Sequence, residues 1–218
     1  MRVSRGVPND EIEKYLAIWK SDCAYYELAL SKKQVYESEQ VVPIPSFVKK
    51  PDYEFEIACL LDADVRGPLS LVQAEEFVKS STHITILNDF SARDLQEQDR
   101  QLGLGVARSK SVLGKAIGPR FVPAKDLKLS EIKLRLKVNG QVRTETNYGT
   151  CFWTFPKILS HLSNQNIFLE RGTLIGSGTV GGGSIAEFGG KYPWLLLGDL
   201  VEMEASEIGT LKNKIGAL

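Results

Sequence analysis

Two histidines and three cysteines are all that the 218 residues offer of the side chains most used for zinc and thiol chemistry. Cys23, Cys59 and Cys151 are odd in number, far apart and free of any C-x-x-C pair, which argues against a disulfide framework or a structural zinc site and for a reducing, cytoplasmic setting. Neither sign of charge is in excess: 27 Lys and Arg face 27 Asp and Glu, and no basic stripe carries interleaved aromatics, so nucleic acid is not an expected partner. Long hydrophobic runs are missing too. "IACLL" and "LLL" are far too short to cross a bilayer, and "MRVSRGVPNDE" lacks the apolar centre of a signal peptide, so no membrane partner is expected. Internal repeats and low-complexity tracts are absent.

What is present is 43% hydrophobic residues, enough to bury one substantial core. Pro8, Asn9 and Asp10 open a segment in which Ile12, Tyr15, Leu16 and Trp19 fall at helical spacing, predicting a helix over residues 8–31. "VVPIPSFVKK" carries two prolines and reads as an extended connection or edge strand. In "PDYEFEIACLL", Tyr53, Phe55 and Ile57 alternate with Asp52, Glu54 and Glu56, a strand with one apolar and one acidic face. "SLVQAEEFVKSS" and "FPKILSHLSN" read as short helices, and "THITILND" as a strand. Ser91 and Asp94 have the spacing of a capping box for a helix starting right after that strand. "IKLRLKVNGQVRT" alternates and then turns at Asn139-Gly140, a hairpin, and "TLIGSGTV", "DLVEMEA" and "GTLKNKI" are further strands. The class is α+β, strand-rich.

Three stretches carry potential chemistry. "GSGTVGGGS" spells G-x-G-x-x-G, but a dinucleotide site needs its glycines to open a helix, and "GGSIAEFGGKYPW" promises none. A glycine-rich turn between strands is the simpler reading; such glycines also let a ligand approach the backbone, with the Thr179 hydroxyl and amide available to an anion. Glu54 and Glu56 point to one side of their strand, either as a solvated face or as two arms of a cation site. Asp89 ends an apolar strand, either favouring a helix N-terminus or joining the glutamates. Three converging carboxylates repel unless a cation neutralises them, and an all-oxygen set suits Mg²⁺, Mn²⁺ or Ca²⁺.

"DYEFEIACLL", "ILNDFSARDLQ", "VNGQVRTETN", "LIGSGTVGGGSIAEF" and "YPWLLLGDLVEMEASEIGTLKN" occur in the order and wording of the fumarylacetoacetate hydrolase family, which the chain resembles from about Pro51 to Ile215. The resemblance implies a mixed β-sheet roll of that family's type over residues 51–218, preceded by a short N-terminal segment, 1–50, of helix plus extended connection. It also implies a homodimer, and a Mg²⁺-type ion (or Mn²⁺ or Ca²⁺) held by Glu54, Glu56 and Asp89. The implied substrate is a small β-diketo or 2-keto acid, and the implied reaction is hydrolytic C–C cleavage of the acylpyruvate or fumarylacetoacetate kind. Decarboxylation, isomerisation or mere binding of keto acids are the alternatives.

Carried across, Lys110 stabilises the developing oxyanion, with Lys115 a lesser candidate; Gln96, Thr179 and Gly178 contact substrate; and Glu187 matches the glutamate that pairs with a histidine to activate water. That histidine belongs upstream of the E-x-E, where this chain has none. His83 and His161 fall inside a predicted strand and a predicted helix and read as packing or surface residues. Water activation then rests on Glu187 or a metal-bound hydroxide without histidine, on a group from a partner subunit, or is lost.

Overall fold

The computed structural model describes residues 9–218, the side chains of residues 9–12 and 15 excepted. Helix α1 covers Asn9–Ser21. Pro8, and the side chains of Ile12 and Tyr15, lie outside what is described. The helix expected to reach residue 31 stops ten residues earlier. Beyond Ser21 the chain is held by distant partners rather than by its own turns: Cys23 N–H donates to His161 Nε2 at 3.3 Å, and the Tyr26 hydroxyl reaches the carboxylate of Asp89. Tertiary bonds of this kind override a local helical pattern.

Strands β1 (Val35–Tyr36), β2 (Val41–Ile44), β3 (Pro51–Asp52) and β4 (Phe55–Leu61) follow, then helix α2 (Leu71–Ser81). α2 begins at a capping box in which Ser70 and Gln73 satisfy each other's backbone N–H. Next come β5 (Thr82–Asn88), β6 (Ser91–Ala92), α3 (Arg93–Gln101), α4 (Ala107–Ser111), β7 (Lys115–Ile117) and β8 (Val122–Pro123). The hairpin β9 (Lys133–Val138) and β10 (Gln141–Asn147) turns at Asn139 and Gly140, both with positive φ, as its sequence required. Helix α5 (Phe155–Asn164), β11 (Leu174–Gly176), β12 (Leu200–Ala205) and β13 (Gly209–Ala217) complete the described chain.

The strands form two main sheets, the mixed α+β arrangement expected. One runs β1-β7-β5-β4-β11, with β8 also on β5; the other runs β10-β9-β12-β13-β2; β3 and β6 pair separately. As its prolines suggested, β2 is an edge strand, parallel to β13. Both sheets bury one face in a common apolar core that includes Phe55, Ile57, Ile86, Leu136, Phe155 and Met203. Among the described residues no helix is long and apolar enough to cross a membrane.

The expected capping box at Ser91 does not form. Ala92 is the N-cap of α3 without a side-chain cap bond; Ser91 Oγ donates to Asp89 O, and the Asp94 carboxylate instead accepts the Lys49 and Lys50 N–H groups. Those amides leave the Asp94 oxygens engaged outside the helix, while α3 starts where the sequence suggested.

Candidate metal centre and active site

Antiparallel pairing builds the site. β4 and β5 align Phe55 with Asn88, so the residue after β5 falls beside the residue before β4, and Asp89 N–H donates to Glu54 O at 3.0 Å. Because side chains alternate along a strand, Glu54 and Glu56 project together on the side opposite Phe55 and Ile57. One carboxylate oxygen from each of Glu54, Glu56 and Asp89 lies within 4.8 Å of the others. This acidic face is not solvated: Glu54, Glu56 and Asp89 are 9%, 5% and 2% exposed.

The glycine loop closes the third side. Phe55 and Ile57 exchange backbone hydrogen bonds with Val180, Gly183 and Ser177, so the loop after β11 continues as the neighbour of β4. Gly178 N–H donates to Glu56 Oε2 at 3.2 Å. A Cβ on Gly176 would lie 2.3 Å from that same oxygen, so a side chain there would push the Glu56 carboxylate aside. A single 3₁₀ turn, Ile185–Phe188, follows the loop. Its first amides, of Ile185 and Ala186, donate to Asp52 at 2.8 and 3.2 Å. The donors a pyrophosphate would use are therefore already taken by a carboxylate, and the dinucleotide reading fails.

Cations ring the cluster. Lys110 Nζ donates to Glu54 Oε2 at 2.5 Å, Asp89 Oδ2 at 2.6 Å and Ser91 Oγ at 2.8 Å. Lys115, the lesser candidate, is here too: its ammonium lies 2.5 Å from Asp89 Oδ1 and donates to the carbonyls of Phe90 and Lys110. Arg93 joins Asp52 Oδ2 at 2.8 Å to Glu54 Oε1 at 2.5 Å and also holds Gln96 Oε1 at 2.9 Å. The Tyr26 hydroxyl donates to Asp89 Oδ2, its ring 5.6 Å from Lys110 Nζ.

These neighbours set the charges. Burial pushes the Asp89 carboxyl up, but the ammonium groups of Lys110 and Lys115 outweigh it and hold it near about 2. Burial pulls Lys110 down, yet Asp89 and Glu54 raise it, so it stays an ammonium; for Lys115 burial wins and its value falls. Glu56 is driven well above the ordinary glutamate value, by burial first and then by Asp89 and Glu54. Its hydrogen bond comes from an amide, not from one of the three cations.

Of the remaining residues singled out in the sequence, Thr179 is half-buried in the loop next to Gly178, and Gln96 sits one turn along α3 from Arg93. Glu187 Oε2 accepts the Gly182 N–H at 2.5 Å, within the loop. The histidines are elsewhere: His83 pairs with Asp62 at 2.7 Å and His161 with Asp22 at 2.8 Å. Sequence reasoning passed over Arg93, Asp52 and Tyr26. Asp52 had a signal, being two residues before Glu54 on the same alternation; Tyr26 had none.

Residues 25–216 match the family model described as fumarylacetoacetate (FAA) hydrolase C-terminal. The chain belongs to the fumarylacetoacetate hydrolase family. It is 31% identical over 176 residues to an uncharacterized protein of Pyrococcus abyssi, covering 80% of this chain and 72% of that one. It is 28% identical over 166 residues to an oxaloacetate tautomerase of Bacillus subtilis, covering 76% of this chain and 52% of the relative, so it spans about half that protein's length. The fold matches a fumarylpyruvate hydrolase from Pseudomonas aeruginosa, solved with Mn²⁺ and pyruvate, at TM-score 0.73 and 21% identity over 87% of this chain and 77% of the other.

The donor set of this family member fits a hard divalent cation. All three groups are carboxylates, and counting Asp52, four buried acids face the three cations Arg93, Lys110 and Lys115, which leaves one formal negative charge at Glu56.

Proposed function

We propose that this protein is a divalent-metal-dependent enzyme acting on small 2-keto and β-diketo acids, and that its basic reaction is keto–enol interconversion of an oxaloacetate-like substrate. The observation that carries this reading is the buried Glu54, Glu56 and Asp89 triad with the Lys110 ammonium set against it.

Glu54, Glu56 and Asp89 would hold the ion. When bound, it supplies Lewis-acid polarisation of the keto group and tolerance of enolate charge. Lys110 carries a fixed positive charge whose Nζ donates toward any oxyanion formed beside the triad. Arg93 fixes Glu54 Oε1 and the Gln96 amide in one orientation, so Gln96 turns its other end to the substrate. The amide and hydroxyl of Thr179, at the tip of the loop, are donors for the substrate carboxylate.

Hydrolytic C–C cleavage, the reaction of the family name, needs a base for water in addition. Glu187 is the candidate, and it is the loop position of its carboxylate, accepting from Gly182, that favours enolisation as the first reading and cleavage as the second. The experiment is a pair of assays with Mg²⁺ or Mn²⁺: enol absorbance of oxaloacetate, and product release from acylpyruvates. Metal-dependent acceleration of the first, abolished by Lys110→Ala and unaffected by Glu187→Gln, is expected. Acylpyruvate turnover lost in Glu187→Gln would establish the second reading instead, and inactivity in both would sink the enzyme proposal.

A further inference from the structure

Lys110 bridges two of the three carboxylates of the triad. Glu54 has two carboxylate oxygens: Oε1 is bound by Arg93 and Oε2 by Lys110. Asp89 repeats the pattern, with Oδ1 bound by Lys115 and Oδ2 by Lys110. Arg93 and Lys115 are each anchored a second time, Arg93 on Asp52 and Lys115 on the carbonyls of Phe90 and Lys110. Lys110 is the exchangeable partner. Its other contacts are the Ser91 hydroxyl and the Tyr26 ring at 5.6 Å, side-chain groups where Lys115 has two backbone carbonyls.

The oxygens left by Arg93 and Lys115 are Glu54 Oε2 and Asp89 Oδ2, both held by Lys110 and the second also by the Tyr26 hydroxyl, together with Glu56, which no cation among the described residues holds. We infer that Lys110 and the metal exchange for one another: ion entry displaces the Lys110 ammonium from Glu54 Oε2 and Asp89 Oδ2, and the displaced ammonium becomes the group that meets the substrate. The inference rests on the metal-site reading above and adds an order to it. In the metal-free protein the lysine neutralises the triad, which keeps a buried acidic cluster tolerable. In the metal-loaded protein the ion takes over that task, and Lys110 is set free only when catalysis is possible. Lys115, anchored on the backbone carbonyls of Phe90 and Lys110, does not take part.

Two measurements on the full chain test this, both with Mn²⁺ as the probe. In the first, an amine-acylating reagent and peptide mass spectrometry read lysine accessibility. Lys110 and Lys115 are 3% and 7% exposed and should both resist labelling without metal. Saturating Mn²⁺ should make Lys110 reactive and leave Lys115 protected.

In the second, Mn²⁺ affinity is measured by titration of free-ion electron spin resonance. Lys110→Met, which removes the competitor, should bind Mn²⁺ about tenfold more tightly, whereas Lys115→Met should change affinity by less than about threefold. Equal gains in both variants would reduce the effect to general charge removal and overturn the exchange. So would Mn²⁺ binding with Lys110 still protected in the wild type, a result that needs no variant to fold. Failure of the wild type and of Lys110→Met to bind Mn²⁺ at all would overturn the metal site itself along with the exchange.

Discussion

Asp52→Ala tests how the site is fastened to the fold. Asp52 is fully buried and makes three bonds: Arg93 Nε at 2.8 Å, Ile185 N–H at 2.8 Å and Ala186 N–H at 3.2 Å. Burial raises its carboxyl above the ordinary value in spite of Arg93, so the pair costs much of what it gains by attraction. Breaking it is another matter. Alanine would leave the guanidinium, 11% exposed, with Glu54 as its remaining carboxylate and two amides of the 3₁₀ turn without an acceptor. A broken buried pair costs about 3–5 kcal/mol. At about 2–4 °C per kcal/mol for a domain of this size, the melting temperature should fall by roughly 6–20 °C. The assay is urea unfolding of wild type, Asp52→Ala, Arg93→Ala and the double variant, and the double variant should be destabilised by less than the two single losses added together. A loss below about 1 kcal/mol for Asp52→Ala, or strict additivity, would refute the claim that Asp52 is the fastening between the glycine loop and α3.

The same geometry yields three more expectations. Glu56→Gln should stabilise the metal-free protein at neutral pH while abolishing the Mn²⁺-induced rise in melting temperature, since the charge of Glu56 is disfavoured by burial and by Asp89 and Glu54. The sign follows from that direction: a carboxyl raised in the folded state makes metal-free wild type gain stability as pH falls through the raised value, until the unfolded glutamate is protonated too, and Glu56→Gln should lose that contribution. Gly176→Ala, with a Cβ 2.3 Å from Glu56 Oε2 and 3.0 Å from Leu87 Cδ2, should cost about 1–3 kcal/mol and weaken Mn²⁺ binding, as seen by denaturation and metal titration. Cys59, fully buried with its thiol pushed up to about 12 by burial, should react with a thiol reagent only in denaturant, whereas partly exposed Cys151 reacts natively.

How far the sequence reached is visible residue by residue. Tyr53, Phe55 and Ile57 against Glu54 and Glu56 is a period of two, and the strand with its two faces followed directly from it. Asn139-Gly140 specified its hairpin because both residues tolerate positive φ. The helix expected over 8–31 and the box at Ser91 failed for one reason: the groups involved found partners far away in the chain, His161 and Asp89 for the first, Lys49 and Lys50 for the second. Spacing along a sequence does not report a competitor 45 residues distant in the chain.

By itself the sequence determined which side chains could serve as metal ligands, on which side of a strand two of them stand, and that a glycine-rich turn rather than a helix follows β11. Local periodicity and backbone freedom suffice for those. Tertiary structure decided the rest: that β4 and β5 align so that Asp89 meets Glu54, that Asp52, Arg93 and Tyr26 belong to the site, and that Lys110 is shared between Glu54 and Asp89 while Lys115 takes the other Asp89 oxygen. Such choices depend on which distant charges share a buried volume, where the absence of water makes every pairing consequential.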